Sequence, residues 1–284
     1  MSAQKTVIKT TGDVQSFSTD KLRKSLRLSG ASKKIADKIV KTIESEYIFK
    51  TTKDIHKHAF DLLKEKYRPV AARYNLKRAI IQLGPTGYPF EQFVARLLNA
   101  KGYWTKTGKI MKGMCVSHEV DVLAKKGDRH FIFECKFHNK LGIKSDVQVA
   151  LYMKARYDDI LARWERLEKD RLKKHLHRAW IVTNTEFTSQ ARDYAKCAGI
   201  RLMSWEYPKN EGLVNLIDET GLHPITAVTS LTKKQKDYLV THGLLLCNEV
   251  EEKKSVLNKA GIYGSKLERV MREAEAIHSL KEKV

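Results

Sequence analysis

The sequence has few cysteines and lacks both metal-binding cysteine pairs and long apolar runs. Its four cysteines lie far apart and form no CxxC pair: Cys115, Cys135, Cys197 and Cys247. This spacing excludes a cysteine-based zinc site and argues against a disulfide framework. No run of about 18 apolar residues is present, so the sequence predicts no transmembrane helix. The start, MSAQKTVIKT, has no apolar segment, and we expect no secretory signal and a cytoplasmic protein with reduced thiols.

Acidic residues are also scarce relative to basic ones. The chain has 54 Lys and Arg against 33 Asp and Glu, a net charge of +21. Residues 1–85 contain 19 basic and 8 acidic side chains, residues 86–210 contain 24 and 14, and residues 211–284 contain 11 of each. Such an excess favours a polyanionic partner, which is nucleic acid, nucleotide phosphate or an anionic membrane surface. Because the last segment is neutral, we assign that partner to the first two segments.

The hydrophobic pattern divides the chain into three parts, 1–85, 86–210 and 211–284. The first is predicted to be mostly helical, with a hairpin over 6–17 turned at Thr11-Gly12-Asp13 and helices over 20–29, 32–46, 53–66 and 69–83. The break Leu83-Gly84-Pro85-Thr86-Gly87 is the best candidate for a linker. The third part is predicted to be helical, with KKQKDYLVTHGLL and SKLERVMREAEAIHSL as its clearest helices.

The central part alternates helices and strands. A helix, PFEQFVARLLNAKGY, precedes two strands, HEVDVLA and HFIFECKF, and a long charged helix is predicted over 146–176. Strand RAWIVTN, helix TSQARDYAKCAG and strand IRLMSWEY follow. This order predicts an α/β sandwich with a mixed sheet, and an α/β chain (α+β overall) once the helical ends are included.

An acid and a base stand two residues apart in the strand HFIFECKFH. Glu134 and Lys136 share one face of the strand, whereas a lone Glu-x-Lys is ordinarily a solvated ion pair. Asp121 lies within the preceding apolar strand, where an unpaired carboxylate is costly, and pairing the two strands brings it towards Glu134. Two converging carboxylates repel each other unless a divalent cation such as Mg²⁺ neutralises them. The pattern therefore predicts half of a metal site.

Residues 88–207 resemble a nuclease of the PD-(D/E)XK superfamily, most closely its Mrr-type restriction endonuclease branch. The similarity runs through GYPFEQFVARLLNAKGY, HEVDVLA, FECK, the Gln of DVQVA and VTNTEFTSQARDYAKCAGIRLMSW. It implies Asp121 and Glu134 as ligands of Mg²⁺ or Mn²⁺ and Lys136 as the catalytic lysine. It also implies Glu91 as an accessory acid and Gln148 as an accessory polar group. The branch often has Gly-x-Asp, whereas here Glu119 stands two residues before Asp121, which leaves the role of Glu119 open.

Residues 6–83 resemble the ATP-cone, the regulatory nucleotide-binding domain of ribonucleotide reductases and their repressor. The similar positions are Val7-Ile8-Lys9, Gly12, Phe17, Asp20-Lys21-Leu22, Thr52 to His56 in TKDIH, and ARYNLKRA. The resemblance implies that Lys9, Lys21 and His56 face the phosphates of ATP or dATP, with Val7, Ile8 and Leu22 around the base. It also places Thr52 in the nucleotide site. Thr10 and Thr11 replace the usual Arg and Asp of the family pattern, so one phosphate clamp is missing and the choice of nucleotide stays open.

Two functions fit these patterns. The first is a magnesium-dependent DNA endonuclease controlled by an adenine nucleotide, acting as a dimer or tetramer in restriction or phage defence. The second is a nucleotide-responsive DNA-binding regulator whose nuclease fold is not catalytic. In the tail, NKAGIYGSKLERVMREAEAI resembles a helix-hairpin-helix, but its neutral charge favours a packing or oligomerisation role.

Overall fold

The protein is a mixed α+β chain whose contacts define two compact units. The computed structural model describes residues 6–9, 12–46, 51–167 and 175–279. One unit joins Met1–Gln82 to His223–Val284, and the other is Leu83–Leu222. The chain thus divides after Gln82 and Leu222, whereas the sequence predicts boundaries after residues 85 and 210. Within the described ranges, no helix has the length and hydropathy that a bilayer crossing requires.

The first unit begins with a hairpin and five helices. β1 (Thr6–Ile8) pairs antiparallel with β2 (Val14–Ser16). Gly12 in the turn has a φ of 91°, a conformation that favours glycine, while Thr10 and Thr11 lie outside the described residues. The helices are α1 (Thr19–Leu28), α2 (Lys33–Ser45), α3 (Thr52–Lys66), α4 (Arg68–Tyr74) and α5 (Leu76–Ile81).

The first three of these helices begin where the sequence supplies a side-chain cap. The capping oxygens accept first-turn N–H groups of α1, α2 and α3 and belong to Ser18, Ser32 and Thr51. One apolar stripe of each helix faces a shared core that includes Leu26, Ile43 and Leu63. The predicted helices 20–29, 32–46 and 53–66 are confirmed, and the predicted helix 69–83 is divided into α4 and α5 at Asn75.

The second unit is built on a five-stranded mixed sheet. Its strands are β3 (Trp104–Lys112), β4 (Ser117–Lys126), β5 (Arg129–Lys136), β7 (His175–Thr183) and β9 (Arg201–Met203), in that order across the sheet. The first three run antiparallel, and β5, β7 and β9 run parallel. A separate two-stranded sheet pairs β6 (Lys144–Ser145) with β8 (Glu186–Phe187).

Helices cover this sheet and position its carboxylates. They are α6 (Tyr88–Ala100), α7 (Val147–Leu167) and α8 (Ser189–Cys197). A further helix, α9 (Leu213–Thr220), contacts α6. α6 contacts β3 and β4. α7 and α8 share a buried cluster with the sheet that includes Ile132, Met153, Ile160, Ile181 and Ala191.

Two sequence predictions in this unit need correction. β3 was not predicted, because all but one of its residues are at least partly exposed and it lacks an apolar alternation. The predicted helix 146–176 was too long: α7 ends at Leu167, and residues 175 and 176 belong to β7. Residues 168–174 lie outside the described part of the chain.

The C-terminal segment completes the first unit. It contains α10 (Lys233–Thr241), α11 (Lys254–Lys259) and α12 (Gly264–His278), and α12 contacts α4. Thr226 Oγ1 donates a hydrogen bond to the Ala79 carbonyl at 2.6 Å, and Arg68 lies 3.6 Å from the buried carboxylate of Glu273. These contacts explain why the first and last segments form one unit.

Candidate active site

The two carboxylates of the predicted metal site lie on neighbouring strands. β4 and β5 pair with Val122 opposite Phe133, and the same register places Asp121 opposite Glu134. Asp121 Oδ2 accepts a hydrogen bond from the backbone N–H of Cys135 at 2.7 Å. This bond fixes the orientation of the Asp121 carboxylate next to Glu134.

A third carboxylate, Glu91, comes from the first turn of α6. The helix begins after Gly87, and Phe90 packs on Phe137, just after the end of β5, with ring centroids 5.6 Å apart. A Cβ added at Gly87 would lie 3.4 Å from Glu91 Oε1 and 3.9 Å from Phe137 Cβ. The start of α6 therefore lies close to the end of the strand that carries Glu134.

Burial and neighbouring carboxylates raise the pKa values of Glu91 and Asp121. Burial, and then the charges of Asp121, Glu119 and Glu134, raises the pKa of Glu91 to about 7. Burial, followed by the charge of Glu134, raises the pKa of Asp121 to about 6. Shifts of this kind arise where several carboxylates share a poorly solvated region. The cluster has an excess of negative charge that a divalent cation would relieve.

Sequence reasoning missed the cation that is present at this site, Arg156 on α7. Its Nη1 donates to Glu134 Oε2, and only 10% of the Arg156 side chain and 16% of the Glu134 side chain are exposed. The guanidinium lies 4.7 Å from the ring centroid of Tyr152. A signal was present in the sequence, since Gln148, Tyr152 and Arg156 are spaced by four residues and so follow one helix face.

Lys136 ends β5 with an exposed side chain that has no ion pair among the described residues. The chain beyond it is held by the buried Asn184, whose side chain accepts the His138 backbone N–H and donates to its carbonyl, both at 2.8 Å. Burial, and then Lys136, lowers the pKa of His138. His138 Nε2 lies 3.0 Å from Ser145 Oγ. Lys136 is thus a free cation on a backbone fixed on its C-terminal side.

Gln148 stands at the start of α7 with an exposed side chain. Its backbone N–H donates to Asp146 Oδ1 at 3.0 Å, and its side chain makes no hydrogen bond within the described ranges. Its spacing along α7 puts it on the same helix face as Arg156, but it forms no hydrogen bond to the described carboxylates Asp121, Glu134 and Glu91.

The unpredicted strand β3 contributes a glycine to the site. Because Thr107 pairs with Val122 and Lys109 with Val120, Gly108 falls opposite Asp121. Its φ is 57°, which favours glycine, and a Cβ there would be 3.8 Å from Glu119 Oε1. Glycine is therefore favoured at position 108 by its positive φ, and not by a lack of room for a side chain.

Carboxylate oxygens are ligands of the type that a hard divalent cation prefers. Among the residues that the structure describes, no three His, Cys, Asp or Glu side chains form a ready metal cluster. Mg²⁺ needs fewer protein ligands, since it often binds one or two carboxylates together with substrate phosphate and water. If a divalent cation binds here, Asp121 and Glu134 are the residues of suitable chemistry to hold it.

The residues predicted to bind a nucleotide fall into a buried and an exposed group. Val7 and Leu22 are buried together in the core of the first unit, with 2% and 7% exposure. Ile8, Lys9 and Lys21 are exposed. Ile8 forms a parallel bridge to Thr51, the cap of α3, so the hairpin lies beside the start of the helix where Thr52 is found. Val7 and Leu22 therefore belong to the hydrophobic core, whereas Ile8, Lys9 and Lys21 lie on the surface of the unit.

His56, one turn further along α3, is held by its own chain. Its ring stacks on Tyr74 with centroids 4.6 Å apart, and Nε2 lies 3.4 Å from the Tyr74 carbonyl. Burial, and then the charge of Arg78, lowers the pKa of His56 to about 4. His56 is neutral near pH 7 and offers no positive charge to a phosphate.

Comparisons with known proteins match most of the chain. A family model described as AF1548-like, C-terminal, matches residues 223–278. An uncharacterized protein of Archaeoglobus fulgidus is 37% identical over 189 residues, which span 65% of this chain and 99% of the relative. The crystal structure of AF1548, a protein of unknown function, is 35% identical and has a TM-score of 0.55 over 68% of this chain and 99% of its own. The chain therefore belongs to the AF1548-like family.

Proposed function

We propose that the Leu83–Leu222 unit is a metal-dependent DNA endonuclease of the PD-(D/E)XK type, related to the Mrr branch. The observation that carries the proposal is the position of Asp121 and Glu134 on the neighbouring strands β4 and β5, where Asp121 accepts the N–H of Cys135, the residue after Glu134. Glu91 lies close by, and Lys136 ends the same strand as Glu134. A merely structural sheet gains nothing from three carboxylates of which two have pKa values raised, first by burial and then by the neighbouring negative charges.

The side chains divide the work of phosphodiester hydrolysis. A bound Mg²⁺ or Mn²⁺ would polarise the phosphodiester and activate water. Asp121, oriented by the Cys135 N–H, and Glu134 would hold this cation. The Lys136 ammonium stabilises negative charge that develops on the phosphate. Glu91, with a pKa of about 7, can take up or release a proton at neutral pH.

Gln148 serves as an accessory polar group at the start of α7.

The net charge of +21 supplies the non-specific attraction to DNA that such an enzyme needs.

The N-terminal hairpin and helices are proposed to bind ATP or dATP as a regulatory ligand. Lys9 and Lys21 are exposed, and the hairpin adjoins the start of α3, where N–H groups favour anions. Replacing Lys9 and Lys21 together by Ala should weaken ATP binding in calorimetry by at least about tenfold, the effect of losing about 1.4 kcal/mol. Replacing Lys33 and Lys34, exposed on α2, removes the same charge and should leave binding unchanged. Equal losses in both variants would contradict the assignment.

A dimer or tetramer is part of the proposal, because one such site cuts one strand and a double-strand break needs two. Light scattering of the active enzyme, with and without ATP, should give a mass of at least two chains. A monomer under conditions in which both strands are cut would contradict this.

A DNA-binding regulator without catalysis is the second candidate, and one observation favours it. Arg156 already neutralises Glu134, as a permanent structural ion pair would. Incubating supercoiled plasmid with Mg²⁺, with and without ATP and dATP, separates the two. Nicked or linear product supports the endonuclease, whose role would be restriction or phage defence in the cytoplasm. Nucleotide-sensitive binding without cleavage supports the regulator.

A further inference from the structure

A basic pocket lies in the first unit and has no part in either site described above. It has a volume of about 370 Å³ and is formed by the end of α3, the start of α4, the segment before α10 and the start of α12. Four cationic side chains line it: Lys64, Arg68, Lys266 and Arg269. Three hydroxyl side chains complete the lining, those of Thr229, Ser230 and Ser265. No acidic or aromatic side chain is among these described lining residues.

A buried carboxylate fixes one wall of the pocket. Glu273 on α12 is 5% exposed and accepts the backbone N–H groups of Thr229 and Ser230, the latter at 3.1 Å. Arg68 lies 3.6 Å from the same carboxylate and donates to Thr229 Oγ1 at 3.3 Å. The positions of Arg68 and of residues 229–230 are therefore set before any ligand arrives, which lowers the cost of binding.

Several groups of the pocket have no partner within the described part of the chain. Ser230 Oγ is shielded from solvent and makes no hydrogen bond to a described residue. Lys64 and Arg269 form no ion pair there, so Glu273 offsets only part of the positive charge. The fifteen-residue helix α12 starts at the pocket without a side-chain cap, so its first-turn N–H groups have no capping side chain, and such groups favour anions.

We propose that this pocket binds a phosphate of the DNA backbone. Cations, a hydroxyl and helix N–H groups are the donors that proteins use for DNA phosphates, and such contacts position the duplex without reading its sequence. A nucleotide would need an apolar or aromatic wall for its base, which the polar lining does not offer. The proposal rests on the proposed function in one respect, namely that DNA is the substrate.

The charge of the individual sequence segments does not predict this basic pocket. The segment 211–284 has 11 basic and 11 acidic residues, and this balance argues against DNA binding. The fold places Lys266 and Arg269 of that segment beside Lys64 and Arg68 of the first segment, and it buries Glu273 beneath them. A neutral segment thus contributes to a positive surface.

The test measures DNA binding of the full chain to a labelled duplex by fluorescence anisotropy in the presence of a chelator, so that no cleavage occurs. The variant replaces Lys64 and Arg269 by Ala, because Arg68 and Lys266 have structural partners in Glu273 and Gln235. The control replaces Lys34 and Lys41, exposed on α2, and removes the same charge from the same unit. Calorimetry with ATP is repeated on each protein.

The pocket variant should bind DNA about tenfold more weakly, with the slope of log affinity against log salt reduced by about 1, as expected for one lost phosphate contact. The control and the ATP affinity should not change. Equal weakening in both variants, or unchanged DNA binding in the pocket variant, would overturn the proposal while leaving the nuclease intact. Loss of ATP affinity with DNA affinity retained would assign the pocket to a nucleotide instead. Wild-type protein that neither binds nor cuts DNA would overturn both proposals.

Discussion

Replacing Asp121 by Asn should stabilise the metal-free protein, even though it removes a proposed catalytic group. Burial and the charge of Glu134 raise the pKa of Asp121 from 3.8 to about 6. The folded protein therefore holds this proton more tightly than the unfolded chain does. Between about pH 4 and pH 6 the free energy of unfolding falls as the pH rises, and the full cost is present above pH 6.

The magnitude follows from the size of the shift. About two pKa units correspond to about 3 kcal/mol, and because Asp121 is only partly buried we expect solvent to reduce this to 1–2 kcal/mol. Asn keeps an oxygen that can accept the Cys135 N–H, so the hydrogen bond need not be lost. The carboxylates of Glu91 and Glu134 also lose a repulsive neighbour.

The assay is urea unfolding with a chelator present, at about pH 8 and about pH 4. Asp121→Asn should gain about 1–2 kcal/mol at the higher pH and almost nothing at the lower one. Asp128→Asn, in the exposed turn between β4 and β5, should change stability by less than about 0.5 kcal/mol at either pH. A destabilised Asp121→Asn protein at pH 8, or an equal gain from Asp128→Asn, would refute the reasoning.

Three further predictions concern single residues. Arg156→Ala should lower the free energy of unfolding of the metal-free protein by about 3 kcal/mol, because the largely buried Glu134 loses its cation. Added Mn²⁺ should restore part of this loss. The control Lys154→Ala, which breaks a more exposed ion pair, should cost less than about 1 kcal/mol. The wild-type protein should lose stability as the pH falls from about 7 to about 5, because burial holds the pKa of His56 near 4 and charging the histidine opposes folding. His56→Gln should reduce this loss by up to about 2 kcal/mol. Identical pH profiles of the two proteins in denaturant titrations would contradict this. Lys136→Ala should reduce metal-dependent cleavage on the order of 10²-fold in initial-rate measurements, with DNA binding retained in anisotropy; a wild-type rate would remove it from the mechanism.

Local sequence patterns predicted the helices and strands that are specified by residues close together in the sequence. The helical periodicity of 20–29, 32–46 and 53–66 and the apolar alternation of β4 and β5 were sufficient to locate three helices and the central hairpin of the sheet. The same alternation predicted that Asp121 and Glu134 would meet.

Features that depend on distant parts of the chain could not be predicted in this way. β3 is mostly exposed and so has no apolar period, and Arg156 reaches Glu134 only because α7 packs on the sheet. The basic pocket joins residues about 200 positions apart, and its net charge depends on which acids are buried. Whether Val7 and Leu22 face a ligand or the core also depends on tertiary packing.

Plasmid cleavage by Asp121→Ala tests the central claim most directly, with Asp128→Ala as the matched control that also removes one carboxylate. Wild type and Asp128→Ala should nick or linearise supercoiled DNA in Mg²⁺ and should be inactive with a chelator. Asp121→Ala should bind the same DNA and leave it uncut. Cleavage by Asp121→Ala at the wild-type rate would show that the paired carboxylates of β4 and β5 are not the catalytic site.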